Sequence, residues 1–429
     1  MQPRCNEYLL MSSRRKRICK GSISIRTTVY LQTFSPSFYW ILGVFVVIIV
    51  MSDALSNTAS STTSPLSARN RHHKERWLVV DFDGTCTIRD TTPLLPRLAY
   101  FIESRSRHSA CADCEEEEYA TLEERLSIFS ELENEYHIRY RDVYQSIDLE
   151  KLNTNDDTEN RLQLESILNR FDCVSNDITA RLSKSEILKG LGSISYRSLF
   201  QMIQSHQQTQ EQNENKNHKN DETIFEENLS YSLRLRPNCL SILRRHTQNS
   251  DTSNNSWNIG VLSINWCPTL IKATLLHSQC ERSICTTSTV PDEDNQTLSL
   301  LEGTPVWSNK IDGNGHVALL VPGAVAKKER IIELQNPNQE NQQNLTDRNF
   351  VVYVGDSSTD LLALVQADVG VLIHGSSSTI GLATKFGITI RSINDYYDES
   401  DKFERDIIWT ASNWDEIGLF LNRINDRLG

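Results

Sequence analysis

The stretch Trp77-Leu-Val-Val-Asp81-Phe-Asp83-Gly84-Thr85 constrains the fold more than any other part of the chain. Four apolar, partly β-branched residues run straight into two carboxylates one residue apart, then a glycine and a hydroxyl. A continuous apolar run of this kind reads as a strand covered on both faces, the habit of a parallel sheet inside an α/β domain. Open α/β sheets hold their ligands at the carboxyl ends of the strands, which is where Asp81 and Asp83 then stand. Carboxylates this close repel one another unless a cation or a proton lies between them. The chemistry that follows is metal-assisted, with one Asp as nucleophile and the other as acid and base. Asp and Gly are also ordinary turn residues, so other parts of the chain have to decide.

A second apolar run, Phe350-Val-Val-Tyr-Val354, ends in Gly355-Asp356, and Asp360 follows four residues later. Residues four apart share a helix face. Asp356 is therefore placed in a strand–helix loop and Asp360 one turn on, facing the same side. Oxygen ligands of this kind suit Mg2+, a hard cation that keeps several waters; helix capping is the competing use. A third run, Trp257 to Leu262, ends at Ser263 and leads through Asn265-Trp266-Cys267-Pro268 into an amphipathic stretch, Thr269 to His277. The Ser263 hydroxyl can hold a phosphate oxygen beside free helix N–H groups, or it can simply cap the helix. Lys327 and Lys328 open a further helix through Leu334. A lysine there either offsets phosphate charge or is solvated surface. A last strand, Val369 to Ile373, precedes His374, which is read as a polar strand-end residue.

Residues from about 91 to 240 carry no strand pattern. Glu115 to Ile147 is helical in period, with Leu122, Leu126, Phe129, Leu132, Tyr136, Tyr140 and Val143 three and four apart. Glu115 to Glu118 is read as the acidic first turn of that helix. Further helices are expected over Arg161–Phe171, Ile178–Leu191 and Tyr196–Ser205. The expected organisation is an α/β core over 76–90 and 241–429, interrupted by a helical cap over 91–240. Three Asn/Gln-rich stretches, 205–221, 247–258 and 335–349, cannot bury a core and are read as disordered surface loops.

Upstream, a basic segment over 1–37 precedes an apolar run, Phe38 to Met51, of signal or signal-anchor character. The Ser/Thr-rich residues 52–75 read as a disordered linker or as an organelle-directing segment. Localisation at a membrane, in the secretory pathway or in an organelle follows, with 38–51 as the route to membrane anchoring. Asn228, Asn254, Asn295 and Asn344 begin glycosylation sequons that matter only in a secretory lumen. Cys111-x-x-Cys114 lacks the second half of a zinc site. With 44 Lys plus Arg against 56 Asp plus Glu, the net charge of −12 argues against a nucleic-acid partner.

In this order, from Trp77 to about Asn394, the elements resemble the haloacid dehalogenase (HAD) superfamily of phosphohydrolases. The resemblance rests on the DxDGT pattern at 81–85 and GDxxxD at 355–360, with Ser263 and the lysine pair matching by position. It implies a Rossmann-like α/β core with a parallel sheet and an inserted, mainly helical cap. It also implies Asp81 as nucleophile and Asp83 as general acid and base. Thr85, Ser263 and Lys328 would bind the phosphate, and Asp81, Asp83, Asp356 and Asp360 would hold Mg2+. Lys327 stays open as the alternative lysine; Ile331 and Ile332 fall as the family's helix pattern expects when Lys328 takes the role.

Asp81-Phe-Asp-Gly-Thr-Cys86-Thr-Ile-Arg-Asp90-Thr, Leu262-Ser-Ile-Asn-Trp266-Cys267 and Tyr353-Val-Gly-Asp-Ser357 look like one branch in particular. It is the phosphatase part of plant bifunctional thiamine-salvage proteins, whose cap Leu188-Lys-Gly190 and the helix around Glu131 to Ile147 also fit. That likeness implies a small phosphate ester as substrate and hydrolysis of thiamine monophosphate to thiamine. The long polar insertions and the N-terminal apolar segment depart from the branch. The alternatives are another HAD phosphatase, acting on a phosphoserine- or sugar-phosphate-like ester, and a membrane-tethered binding protein without catalysis.

Overall fold

The computed structural model describes residues 75–109, 120–147, 157–202, 233–248, 256–283, 303–337, 348–396 and 407–428. The basic segment, the 38–51 apolar run and the linker lie outside them, as do Cys111, Cys114, Glu115–Glu118, the four sequons and most of the Asn/Gln-rich stretches. Among the described residues no helix is long and apolar enough to cross a membrane.

Seven strands form one sheet: β1 (Arg76–Val80), β2 (Asn258–Leu262), β3 (Val306–Trp307), β6 (Phe350–Gly355), β7 (Val369–Ile373), β8 (Thr389–Ser392) and β9 (Ile407–Ala411). The order is β3-β2-β1-β6-β7-β9-β8, and every pairing is parallel. The β1 strand lies between β2 and β6, with Val80 opposite Val261 on one side and Val354 on the other. That register brings the ends of three strands to one edge. Successive side chains of a strand point to opposite faces, and β1 uses both. Leu78 and Val80 enter one core, formed with α4 (Cys239–Gln248), α5 (Pro268–Ser283) and α9 (Trp414–Leu428). Val79 enters the other, formed with α6 (Ala324–Gln335), α7 (Leu361–Gln366) and α8 (Ser377–Lys385). A strand buried on both faces needs the continuous apolar run seen in the sequence.

Between β1 and β2 the chain leaves the sheet for three long helices, α1 (Leu95–Ser109), α2 (Leu122–Gln145) and α3 (Asp157–Lys184). They share a core of their own in which Leu95, Leu98, Phe129, Leu132, Ile178 and Leu182 meet Leu270 of α5. Thr121 starts α2 through a reciprocal capping box with Glu124, so the four acids precede this helix. α3 is one helix of 28 residues where two were expected; no Gly or Pro lies within it to stop the turn. The outgoing and returning chains pair at the junction. Ile88 N donates to Arg234 O (3.0 Å) and Arg236 N to Cys86 O (2.7 Å). A small antiparallel pair, β4 (Lys310–Ile311) and β5 (Val317–Ala318), precedes α6.

Candidate active site

Asp81 follows β1 directly, buried, with its backbone N–H donated to Val354 O at 2.9 Å. The chain then turns at Gly84, whose φ of +73° is a left-handed conformation that favours glycine. A Cβ at Gly84 would also lie 2.3 Å from Asp356 Oδ2, so any side chain there would have to displace that carboxylate. Thr85 Oγ1 donates to Asp356 Oδ1 at 2.7 Å, and Arg236 Nε to Gly84 O at 2.7 Å. Trp414, at the start of α9, donates its indole N–H to Thr85 O at 3.1 Å. The turn after β1 and the loop after β6 thus fix one another.

Lys327 reaches this edge from the first turns of α6. It is fully buried, with Nζ 3.1 Å from Asp81 Oδ1 and 2.7 Å from Asp360 Oδ1. Burial alone lowers an ammonium pKa, but the carboxylates of Asp360 and Asp81 outweigh it and hold the charge above the ordinary range. Asp360 is equally buried, and that works against its charge. Lys327 and its hydrogen-bond donors prevail, leaving its pKa below the usual value. Those donors are Lys327 Nζ, Tyr353 Oη (2.6 Å), the N–H groups of Asp356 (3.2 Å) and Ser357 (3.0 Å), and Ser357 Oγ (2.8 Å).

Asp81, Asp356 and Asp360 each place one oxygen within 4.8 Å of the others. Burial, with the neighbouring carboxylates, pushes Asp81 well above the carboxylate range despite Lys327. Burial and Asp360 push Asp356 up to about 7. Crowded, dry carboxylates of this kind are what a divalent cation relieves. Asp360 already accepts five hydrogen bonds, against about four lone-pair sites on a carboxylate. Asp81 and Asp356 therefore offer the open oxygens, and this all-oxygen donor set fits Mg2+.

Asp83 turns the other way. Its Oδ1 accepts from Thr91 N (2.8 Å) and Thr91 Oγ1 (2.7 Å), and its Oδ2 from Asn265 Nδ2 (2.7 Å). Burial, helped by nearby Asp90 and opposed by these donors, pushes its pKa up to about 6. Beside it, helices α2 and α3 and the core loops enclose a cavity of about 180 Å³. Asp90 and Thr92 flank Thr91, and Ile264 and Trp266 flank Asn265, so the cavity lies against the two residues that hold Asp83.

Several sequence expectations change. Lys328 does not enter the site: its Nζ pairs with Glu165 of α3 at 2.6 Å on a partly exposed surface, and Lys327 takes the interior. The Thr85 hydroxyl is occupied by Asp356 rather than open to a phosphate. The Asp83 carboxylate stands apart from the three clustered acids because Thr91 and Asn265 hold it. Ser263 lies at the expected strand end, buried, two residues beyond the Val80–Val261 pair. Its Oγ accepts from Asn265 N at 3.2 Å, which leaves its proton to donate.

Thr91, Asn265, Tyr353 and Arg236 were not singled out from sequence. Tyr353 had a signal, since a lone phenol in a buried strand must find a partner. The others depend on contacts between distant segments.

No protein-family model matches the chain. Over 372 residues it is 23% identical to the bifunctional TH2 protein, mitochondrial, of Arabidopsis thaliana, covering 82% of this chain and 50% of that protein. The chain thus spans about half the length of this curated relative. Among solved structures, a phospho-aspartyl intermediate analogue of phosphoserine phosphatase is 14% identical with a TM-score of 0.33, covering 80% of this chain and 97% of that one. A HAD-family hydrolase of Salmonella enterica serovar Typhi is 12% identical with a TM-score of 0.28, covering 82% and 77%. A HAD hydrolase of Bacillus subtilis bound to magnesium is 10% identical with a TM-score of 0.25, covering 81% and 99%.

Proposed function

We propose that this protein is a Mg2+-dependent phosphomonoester hydrolase of the HAD type, working through an aspartyl-phosphate on a small metabolite, thiamine monophosphate foremost. One observation carries the reading. Asp81 pairs with a buried lysine and clusters with two more carboxylates, while Asp83, two residues further on, is held by Thr91 and Asn265 beside a cavity. In this reading Asp81 attacks phosphorus in line and the bond to the leaving oxygen breaks. Protonated Asp83 donates its proton to that oxygen, and a pKa near 6 keeps the acid form within reach. Water then attacks phosphorus while Asp83 takes a proton from it, and the bond from phosphorus to the Asp81 oxygen breaks, releasing phosphate and restoring both carboxyl groups. Lys327 offsets charge throughout, and Ser263 donates to a phosphoryl oxygen. Bound at Asp81 and Asp356, Mg2+ supplies the positive charge that lets an anionic phosphate approach an anionic nucleophile.

The cap, residues 91–240 in this reading, excludes water and contacts the leaving group. The cavity suits a cationic aromatic body: Phe129, Tyr136 and Trp266 are among its lining, and Asp90 and Glu133 add negative charge. The likeness of the 81–91 turn and the 262–267 segment to thiamine-salvage phosphatases points to the same ester. The Arabidopsis relative is described as mitochondrial, and with it we favour an organelle-directing role for the N-terminal segments. The test is phosphate release from thiamine monophosphate, phosphoserine, a sugar phosphate and a phosphopeptide, with Mg2+ and with chelator. Mg2+-dependent release favouring thiamine monophosphate is expected; no release from any ester in Mg2+ contradicts the proposal.

A further inference from the structure

The first N–H groups of a helix have no acceptor within the helix, and at α6 the residue before the first turn is Gly323, which has no side chain to cap it. The acceptor comes from the inserted helices instead. Asp172, buried on α3 and 152 residues away in sequence, accepts from Ala324 N through its Oδ1 at 3.2 Å. The Val325 N–H bonds to the same carboxylate. A carboxylate at this end of a helix is favoured by the positive end of the helix dipole as well as by the bonds. The fit is close: a Cβ on Gly323 would lie 2.0 Å from the Asp172 carboxyl carbon, so a side chain there would have to push the carboxylate away. Seven residues back, two turns along the same face of α3, Glu165 pairs with Lys328 Nζ at 2.6 Å. α3 therefore holds the start of α6 at two points.

The bond that closes this first turn belongs to Lys327. Its backbone N–H donates to Gly323 O at 3.1 Å, and its side chain runs on to Asp81 and Asp360. Helix ends fray, so what fixes residues 323–325 also fixes the point from which the lysine reaches. We propose that Asp172 is a positioning residue for catalysis: from α3 it holds the first turn of α6, and through that turn it keeps the Lys327 ammonium between Asp81 and Asp360. The inserted helices then complete the site as well as cover it. This rests on the phosphatase reading above, since turnover is what the lysine serves. Asp172 does not line the cavity that would receive the leaving group. Its loss therefore slows every ester alike and leaves ester binding nearly unchanged.

The test measures kcat and KM in Mg2+ on the full chain, with thiamine monophosphate and with p-nitrophenyl phosphate, two esters of dissimilar leaving group. The proteins are wild type, Asp172→Asn, Asp172→Ala and Gly323→Ala, each with its melting temperature. Asp172→Asn keeps an acceptor oxygen for Ala324 N and is expected within about threefold of wild type in kcat. In Asp172→Ala kcat is expected to fall about ten- to a hundredfold, equally for both esters, with KM within about twofold. Gly323→Ala displaces the carboxylate from the other side and should show the same loss. A folded Asp172→Ala with wild-type kcat overturns the inference and leaves the phosphatase reading standing. So does Asp172→Asn as slow as Asp172→Ala, because the acceptor bond is then not what counts. A loss confined to one ester overturns it too, since the carboxylate would then serve a leaving group. If Asp172→Ala does not fold, a folded Gly323→Ala with wild-type kcat overturns it instead. A wild type that releases phosphate from no ester removes the phosphatase reading, and the inference with it.

Discussion

Lys327 and Lys328 are neighbours in sequence, yet they stand about 100° apart around α6, and the difference decides their chemistry. Lys327 is the only cation in direct contact with Asp81 and Asp360 among the described residues. Replacing it by Met leaves two buried carboxylates without their counter-charge, at a cost of about 3–5 kcal/mol. Turnover should fall about a hundredfold or more. Lys328→Met removes a partly exposed pair with Glu165, worth about 0–1 kcal/mol, and should leave turnover within a few-fold of wild type. Urea unfolding and phosphate release on both variants check this, and the reverse ranking would return the role to Lys328. Sequence spacing could narrow the lysine only to a pair, because the inward side is set by how α6 packs on the sheet. Thr85 teaches the same lesson. Its place after Gly84 was plain, but the carboxylate that takes its hydroxyl lies 271 residues away. Pattern reading sees types and spacings; it does not see close approach between distant loops.

At the scale of elements, the inserted helices are tied to the loops that carry the site. Asp172 of α3 receives the first N–H of α6, and a Cβ on Gly323 would lie 2.0 Å from its carboxyl carbon. Tyr140 of α2 meets Ser358, beside Asp360, at 2.6 Å. Period and capping signals made α2 readable. α3 was expected as two pieces, Arg161–Phe171 and Ile178–Leu191, yet Phe171, Val174 and Ile178 are buried along it and carry the helix through Ser175, Asn176 and Asp177. Strand β8, four residues alternating exposed and half-buried, has no continuous apolar run to announce it. α4 carries a different liability: His246 is buried and neither ring nitrogen has a partner. Burial, with Arg245 adding, lowers its pKa to about 4. The unfolded chain, where His titrates near 6.5, binds the proton more readily over that window, so stability falls as pH drops through it. The loss is about 3 kcal/mol when the window is crossed. His246→Leu should flatten that part of the curve, checked by melting temperatures at pH 7, 6 and 5. Equal losses in both proteins would remove His246 from the acid response.

Across the whole molecule, the parallel sheet gathers residues that the chain scatters. β1, β2 and β6 are neighbours in the sheet but come from near residues 80, 260 and 355. Their carboxyl ends bring Asp81, Ser263 and Asp356 to one edge, and α6 delivers Lys327 there. The fold class was legible because each of these strands is an apolar run buried on both faces. The acids stood out because each follows such a run. What stayed hidden was the division of labour: Thr91 and Asn265 hold Asp83 apart from the clustered acids, and Asp360 holds Lys327 more than it offers a free oxygen. The central claim is that Asp81 is the nucleophile of a Mg2+-dependent phosphatase. The most direct measurement is phosphate release in Mg2+ by wild type and Asp81→Asn, with thermal melting of both. The account predicts that Asp81→Asn melts as a folded protein and turns over below about a thousandth of the wild-type rate; full Mg2+-dependent turnover by that variant would contradict it.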